Sequence, residues 1–169
     1  MTATLESDVT LRDGTRVHIR PIRPEDDHVL VHLFDHLSPQ SIYQRFFMAM
    51  HELTPGMAHH LSHVDYARRM ALVAEIGGEL IGVGRYEPTG EPDVMELGLV
   101  IDDAWQGRGL GRILLRETIR AAASNGIHRF QADVLAENRR MLRILAEEFV
   151  IESRKTEAGV ATLQLAIRK

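Results

Sequence analysis

The chain has 169 residues, 44% of them hydrophobic and 26% charged, a balance that excludes a disordered chain and suits one globular domain spanning residues 1–169. No apolar stretch approaches the roughly 20 residues of a membrane span, and Met1 to Asp8 lacks the basic start and apolar run of a signal peptide, so a cytoplasmic location is expected. Lys and Arg total 20 against 24 Asp and Glu, a net charge of −4 that argues against a nucleic-acid partner, and the absence of cysteine removes disulfides, thiolate metal sites and Cys nucleophiles.

In chain order, Val9–Leu11 and Val17–Ile22 flank Asp13-Gly14, which predicts a hairpin. Pro24 with Glu25, Asp26 and Asp27 reads as a helix start, followed by an apolar stripe of Val29, Leu30, Leu33, Phe34 and Leu37. Ser38-Pro39 and Thr54-Pro55 start two further short helices, running to Phe46-Phe47 and to Leu61. Strands over 71–76 and 80–86 around Gly77-Gly78 make a second hairpin, and Val94–Ile101 is a further strand. A helix follows from about Arg108 to Ser124 and ends at Asn125-Gly126. Arg129–Leu135 reads as a strand, Asn138 caps another helix, and Ala161–Ile167 alternates as a last strand. This order predicts an α/β (α+β) fold, a mostly antiparallel sheet covered by helices.

Chemistry concentrates between Met95 and Leu115. A strand ends near Ile101, a glycine-rich turn runs from Gln106 to Gly111, and a helix begins there. Free N–H groups and the positive end of the helix dipole at such a start form a phosphate site, and glycines allow the backbone to approach it. Gly-x-Gly-x-x-Gly fails because position 112 is Arg, and no Walker Gly-Lys-Ser/Thr occurs.

Gln106-x-x-Gly109-x-Gly111, with Asp102 to Trp105 before it and Ala136-Glu-Asn138 beyond, resembles the signature of the GNAT family of N-acetyltransferases. The resemblance extends from about residue 10 to the end. It implies a sheet splayed at an acetyl-CoA site, with acetyl-CoA as cosubstrate and no metal. It also implies that Leu99, Val100 and Ile101, on a strand splayed by a bulge, pair with the pantetheine arm. Backbone N–H groups from Gln106, Gly107, Arg108, Gly109, Leu110, Gly111 and Arg112 would hold the pyrophosphate, Arg108 and Arg112 adding charge. Asn138 is either a helix cap alone or a cap that also touches CoA.

An amine of pKa about 10.4 is mostly protonated at neutral pH, and neutralising it there costs roughly 4 to 5 kcal/mol, so a base is useful. Glu96 sits among Val94, Met95, Leu97 and Leu99. Either it is buried, which would raise its pKa, or it faces solvent at an alternate strand position. The family often keeps Glu here, and the resemblance implies the catalytic base.

Other features depart from the family pattern or carry less. The family's leaving-group Tyr corresponds to Leu145, and its Gly-Phe to Glu148-Phe149-Val150, so no acid is assigned. His28, His32 and His36, and His59 and His63, fall four apart, but without His-Glu-x-x-His they read as a solvated face. Leu11–Asp26, Leu37–Phe47 and Val64–Tyr66 look like the acetyltransferase domain of bacterial protein lysine acetyltransferases. That likeness implies a protein lysine as acceptor, with any regulation supplied by a partner, and leaves a homodimer open. A small-molecule amine acceptor and a non-catalytic acetyl-CoA-binding module stand as alternatives. A closed acidic pocket would favour the small amine. A solvent-facing or salt-bridged Glu96 with no path for an amine would favour the binding module.

Overall fold

The structure is a computed structural model that describes residues 5–169. Of the N-terminal stretch read as lacking a signal, Met1 to Thr4 lie outside the described residues. Strands β1 (Ser7–Thr10) and β2 (Arg16–Pro21) form the first hairpin, whose turn holds Gly14 at φ 90°. A single 3-10 turn (Pro24–Asp26) leads into helix α1 (Asp27–His36). Helix α2 (Pro39–Phe46) starts where Ser38 Oγ accepts the Ser41 N–H at 3.1 Å, and α3 (Pro55–Ser62) where Thr54 Oγ1 accepts the Met57 N–H at 3.2 Å. Both caps satisfy a donor that a helix start leaves free. Then come β3 (Met70–Ile76), β4 (Glu79–Pro88), β5 (Val94–Ile101), α4 (Leu110–Ser124), β6 (Arg129–Leu135), α5 (Arg139–Glu148), β7 (Phe149–Glu157) and β8 (Val160–Ile167).

The strands form one eight-stranded sheet in the order β1-β2-β3-β4-β5-β6-β8-β7, with every neighbour antiparallel except β5 and β6. Alternation along the strands feeds two cores. Met70, Leu72 and Ala74 of β3 join Leu110, Leu114 and Leu145 on the α4–α5 side, while Ala71 and Val73 join Leu30, Leu33 and Ile42 on the α1–α3 side.

The parallel pair positions the site. β5 and β6 are in register only at Val94 with Arg129, Met95 with Phe130 and Glu96 with Gln131. Beyond these, β6 continues along β8 and β5 along β4, so Leu97–Ile101 turns an unpaired edge toward β6. The expected splay is therefore present, but the expected bulge is not. The β4–β5 ladder runs from Gly82 with Ile101 to Pro88 with Met95 without a shift. The strands part because the parallel ladder is only three residues long, too short to hold two twisting strands together. Strand β7 was not anticipated from the sequence; it is an exposed edge strand.

Candidate active site

After β5, the Asp102 carboxylate accepts the Ala104 N–H at 2.9 Å and sets a 3-10 turn, Asp103–Trp105. Gly107 and Gly109 follow at φ 77° and 89°, backbone that side chains strongly disfavour. Gly109 immediately precedes α4 and offers no side-chain cap, so the first N–H groups of a 15-residue helix receive no acceptor from the cap residue. Gly111 is different: it is already helical, and a methyl there would make only ordinary contacts with Ile101 and Leu99.

The charged groups around this turn are arranged differently from the sequence expectation. Arg108 stacks 4.5 Å from the Trp105 ring centre and pairs with Asp13 at 3.1 Å. Arg112 faces α5 and pairs with Glu147 at 2.7 Å and Glu148 at 3.0 Å, so much of the charge expected there is already neutralised. Hydrogen bonds from Arg116 and Arg112 hold Glu148 below the ordinary carboxylate range. Two cations missed in the sequence lie on the turn instead. Arg12, in the first hairpin, reaches within 3.4 Å of where a Gly109 side chain would begin, and Arg140 within 3.9 Å of the same point at Gly107. Only the fold brings them there, and no local motif marks either. Gln106 does not stand over the turn: its side-chain amide donates to Ile101 O at 3.0 Å and Ser41 Oγ at 3.1 Å. Asp103 accepts from Ser38 N (2.9 Å), Ser38 Oγ (2.7 Å) and Ser41 Oγ (3.0 Å). Turn and α2 are thus tied together. Asn138 Oδ1 accepts the Met141 N–H at 3.3 Å and so caps α5.

On β5, Leu97, Leu99 and Ile101 pack toward α4, and Val100 packs toward α1–α3. Glu96 and Gly98 share the face of Val100 by alternation. Glu96 is exposed, the second of the two alternatives left open by the sequence: its apolar neighbours Met95 and Leu97 point to the opposite face of the sheet. It stands opposite Glu87 across the β4–β5 ladder and makes no hydrogen bond or ion pair among the described residues. Beside it, a pocket partly open to solvent is walled by apolar side chains of α1–α3 and by Val83 and Val100, and contains Arg45 and Arg85.

The profile of the Acetyltransferase (GNAT) family matches residues 33–149. The chain belongs to the GNAT acetyltransferase family. It is 35% identical over 136 residues to "Acetyltransferase PA5475" of Pseudomonas aeruginosa, covering 78% of this chain and 73% of that protein. It is 31% identical over 140 residues to "Acetyltransferase Pat" of Mycolicibacterium smegmatis, covering 81% of this chain but 42% of the longer relative. The solved GNAT domain of S. lividans PAT superposes with a TM-score of 0.88 at 34% identity, covering 99% of both chains.

GNAT enzymes draw their acetyl group from acetyl-CoA, and this GNAT domain has features that fit it. The unpaired edge of β5 offers peptide groups to the two amides of a pantetheine arm, and the uncapped start of α4 offers N–H groups to a pyrophosphate. Leu145, at the position of the family's Tyr, is 1% exposed and packed in the core, so it donates no proton. His28, His32 and His36 are exposed, with His32 3.8 Å from Glu79 and His36 3.7 Å from Asp102. Among the described residues no group of three or more His, Asp or Glu is placed to hold a metal ion, and no helix is long and apolar enough to cross a membrane.

Proposed function

We propose that this GNAT domain, acting as a single catalytic unit, transfers the acetyl group of acetyl-CoA to a lysine ε-amine presented on a protein surface, with Glu96 as general base. The observation that carries the reading is Glu96 itself. It is an exposed carboxylate with no hydrogen bond or close ion pair among the described residues, acting on Arg45 only through longer-range charge, on the strand whose free edge begins one residue later. An acceptor that brings its amine on a long flexible arm, as lysine does, can reach such a group from outside. The similarity to the GNAT domain of S. lividans PAT supports a protein acceptor. The pocket on this face argues against a small polycation, since it is apolar and carries two arginines.

Glu96 draws the lysine ammonium by charge, takes its proton and passes it to solvent; the neutral nitrogen attacks the thioester carbonyl and sheds its second proton to Glu96 or water, the C–S bond breaks with its electrons passing to sulfur, and the thiolate leaves to be protonated by solvent. Leu99, Val100 and Ile101 hold the donor along the strand edge. Backbone groups from Gln106 to Arg112 bind its pyrophosphate, aided by the cations of the turn, and Asn138 fixes the start of the facing helix.

The test is mass spectrometry of proteins and amines incubated with labelled acetyl-CoA, with Glu96→Gln beside the wild type. Turnover on lysine should fall about 100- to 10,000-fold and recover in part at high pH, where more of the acceptor is already neutral. Full turnover in Glu96→Gln at neutral pH removes Glu96 as base. A wild-type protein that binds acetyl-CoA but labels no amine is a binding module, the reading that a solvent-facing Glu96 with no path for an amine would favour.

A further inference from the structure

The mechanism above uses the exposed end of β5 and leaves the pocket beside it without a task. Its apolar wall includes Leu33, Phe34, Phe46, Val83 and Val100, and within that wall stand two guanidinium groups. Arg85, 4% exposed, is accounted for by Leu61 O at 2.7 Å and Glu87 at 3.2 Å. Glu87 is also shared with Arg69 at 3.3 Å. Arg45 has neither a hydrogen bond nor an ion pair among the described residues; its ring contact is Phe46, 5.1 Å away. Its charged end lies deep enough for desolvation to lower its pKa, and desolvation together with the Arg45 charge brings Arg85 down to about 10. Arginine stays protonated at neutral pH. Glu87 and Glu96 attract the Arg45 charge through space but neither accepts a hydrogen bond from it, so a guanidinium stands in the apolar wall with its donors unanswered, a costly state that an anion bonded to it would relieve.

The position of Arg45 says which part of the reaction would bring that anion. Its guanidinium lies against the face of Gly98, so closely that a methyl there would come within 2.8 Å of it. Gly98 belongs to the unpaired stretch of β5, on the loop side of Glu96. A lysine amine arriving over Glu96 carries no anion into this pocket, whereas the acyl group of a thioester seated along β5 would point into it.

We infer that the pocket receives the acyl chain of the donor and suits one ending in a carboxylate, of the succinyl or glutaryl class, with Arg45 as the residue that pairs it. This rests on the reading of the β5 edge as the seat of a CoA thioester. Because Arg45 lies directly on the strand, two or three methylene groups span the gap, and the apolar wall covers them. The transfer is balanced as for acetyl: an N–C bond forms, the C–S bond breaks with its electrons passing to sulfur, the amine proton goes to Glu96 and then to solvent, and the distal carboxylate is unchanged.

The test is calorimetric binding of acetyl-, butyryl- and succinyl-CoA, the last two having acyl chains of equal length that differ in the terminal charge. The wild type should bind succinyl-CoA at least about ten-fold more tightly than butyryl-CoA, and Arg45→Met should reduce that ratio by about 10- to 100-fold, with Arg45→Lys retaining part of it. Butyryl-CoA bound as well as succinyl-CoA by the wild type overturns the inference, and so does an unchanged ratio in Arg45→Met. The wild-type comparison decides even if the variant does not fold. If none of the three thioesters binds, the CoA reading falls and this one with it; if acetyl-CoA binds and succinyl-CoA is rejected, this inference alone falls.

Discussion

Arg20 and Asp26 form a buried pair whose side chains are 4% and 7% exposed, joined through both guanidinium nitrogens at 2.8 and 2.9 Å. Arg20 also donates from Nε and Nη2 to Glu75 at 3.0 and 3.3 Å and from Nη1 to Pro21 O at 3.1 Å, and Asp26 also accepts the Arg23 N–H at 2.7 Å, so each charge is hydrogen-bonded as burial requires. Burial alone would raise the Asp26 pKa; the bonds from Arg20 and Arg23 outweigh it and hold it low. Asp26→Asn leaves Arg20 half-answered and should cost roughly 3 to 5 kcal/mol, read by urea denaturation as a lower midpoint with an unchanged slope. At the glycine turn the effects are smaller, because the groups are exposed. Arg12→Ala and Arg140→Ala should each weaken CoA binding by about 2- to 10-fold and flatten its salt dependence. Arg108→Ala should weaken it less, since Asp13 already offsets that charge. Equal losses at all three would show that no cation on the turn is specially placed.

At the level of elements, α4 lies on β4 through glycines. A methyl on Gly84 would collide with Thr118 Oγ1 and come within 3.3 Å of Leu114, and Thr118 is held by its own bond to Leu114 O at 2.8 Å, so it has little freedom to yield. Gly84→Ala should destabilise by about 1 to 3 kcal/mol. Gly56→Ala, on α3 where nothing lies within 4 Å, should be neutral or stabilise by up to about 1 kcal/mol; thermal melting of the two variants checks both signs. Elements governed by local chemistry were legible in the chain: Ser38, Thr54 and Asn138 cap where a short polar side chain before a helix should, and Asp13-Gly14 turns as its φ preference dictates. Strand β7 was not, because an edge strand carrying Glu152, Arg154, Lys155 and Glu157 and exposed along nearly its whole length has no alternation to read. Whether Glu96 is buried or exposed was not legible for a related reason. Apolar neighbours in sequence are the wrong neighbours in a strand, where the relevant ones are two residues away. Arg12, Arg45 and Arg140 carry no local signal, since their relation to Gly109, Gly98 and Gly107 exists only once the chain is folded.

Across the whole molecule, the lowered carboxylates set the response to acid. Asp26, Asp103 and Glu148 all lie below their ordinary values of 3.8, 3.8 and 4.5. Between folded and unfolded pKa the unfolded chain binds more protons, so stability rises with pH through that window and is lost as pH falls through the folded values. Denaturation midpoints should therefore hold steady from neutrality to about pH 5 and drop steeply below about pH 4; a midpoint that rises on acidification would contradict the assignment. The links from Asp103 to Ser38 and Ser41, and from Gln106 to Ser41, have a consequence for the order of events in a catalytic cycle. They bolt the turn that would grip the nucleotide end of the donor to the helix whose Arg45 and Phe46 line the pocket beside Glu96, over which the acceptor amine would arrive. Whatever steadies the first also steadies the second, so the acceptor meets a finished wall only after the donor has settled. Amide exchange in α2 should slow on addition of CoA alone, and product-inhibition patterns should report compulsory order, with the donor first to arrive and free CoA last to leave.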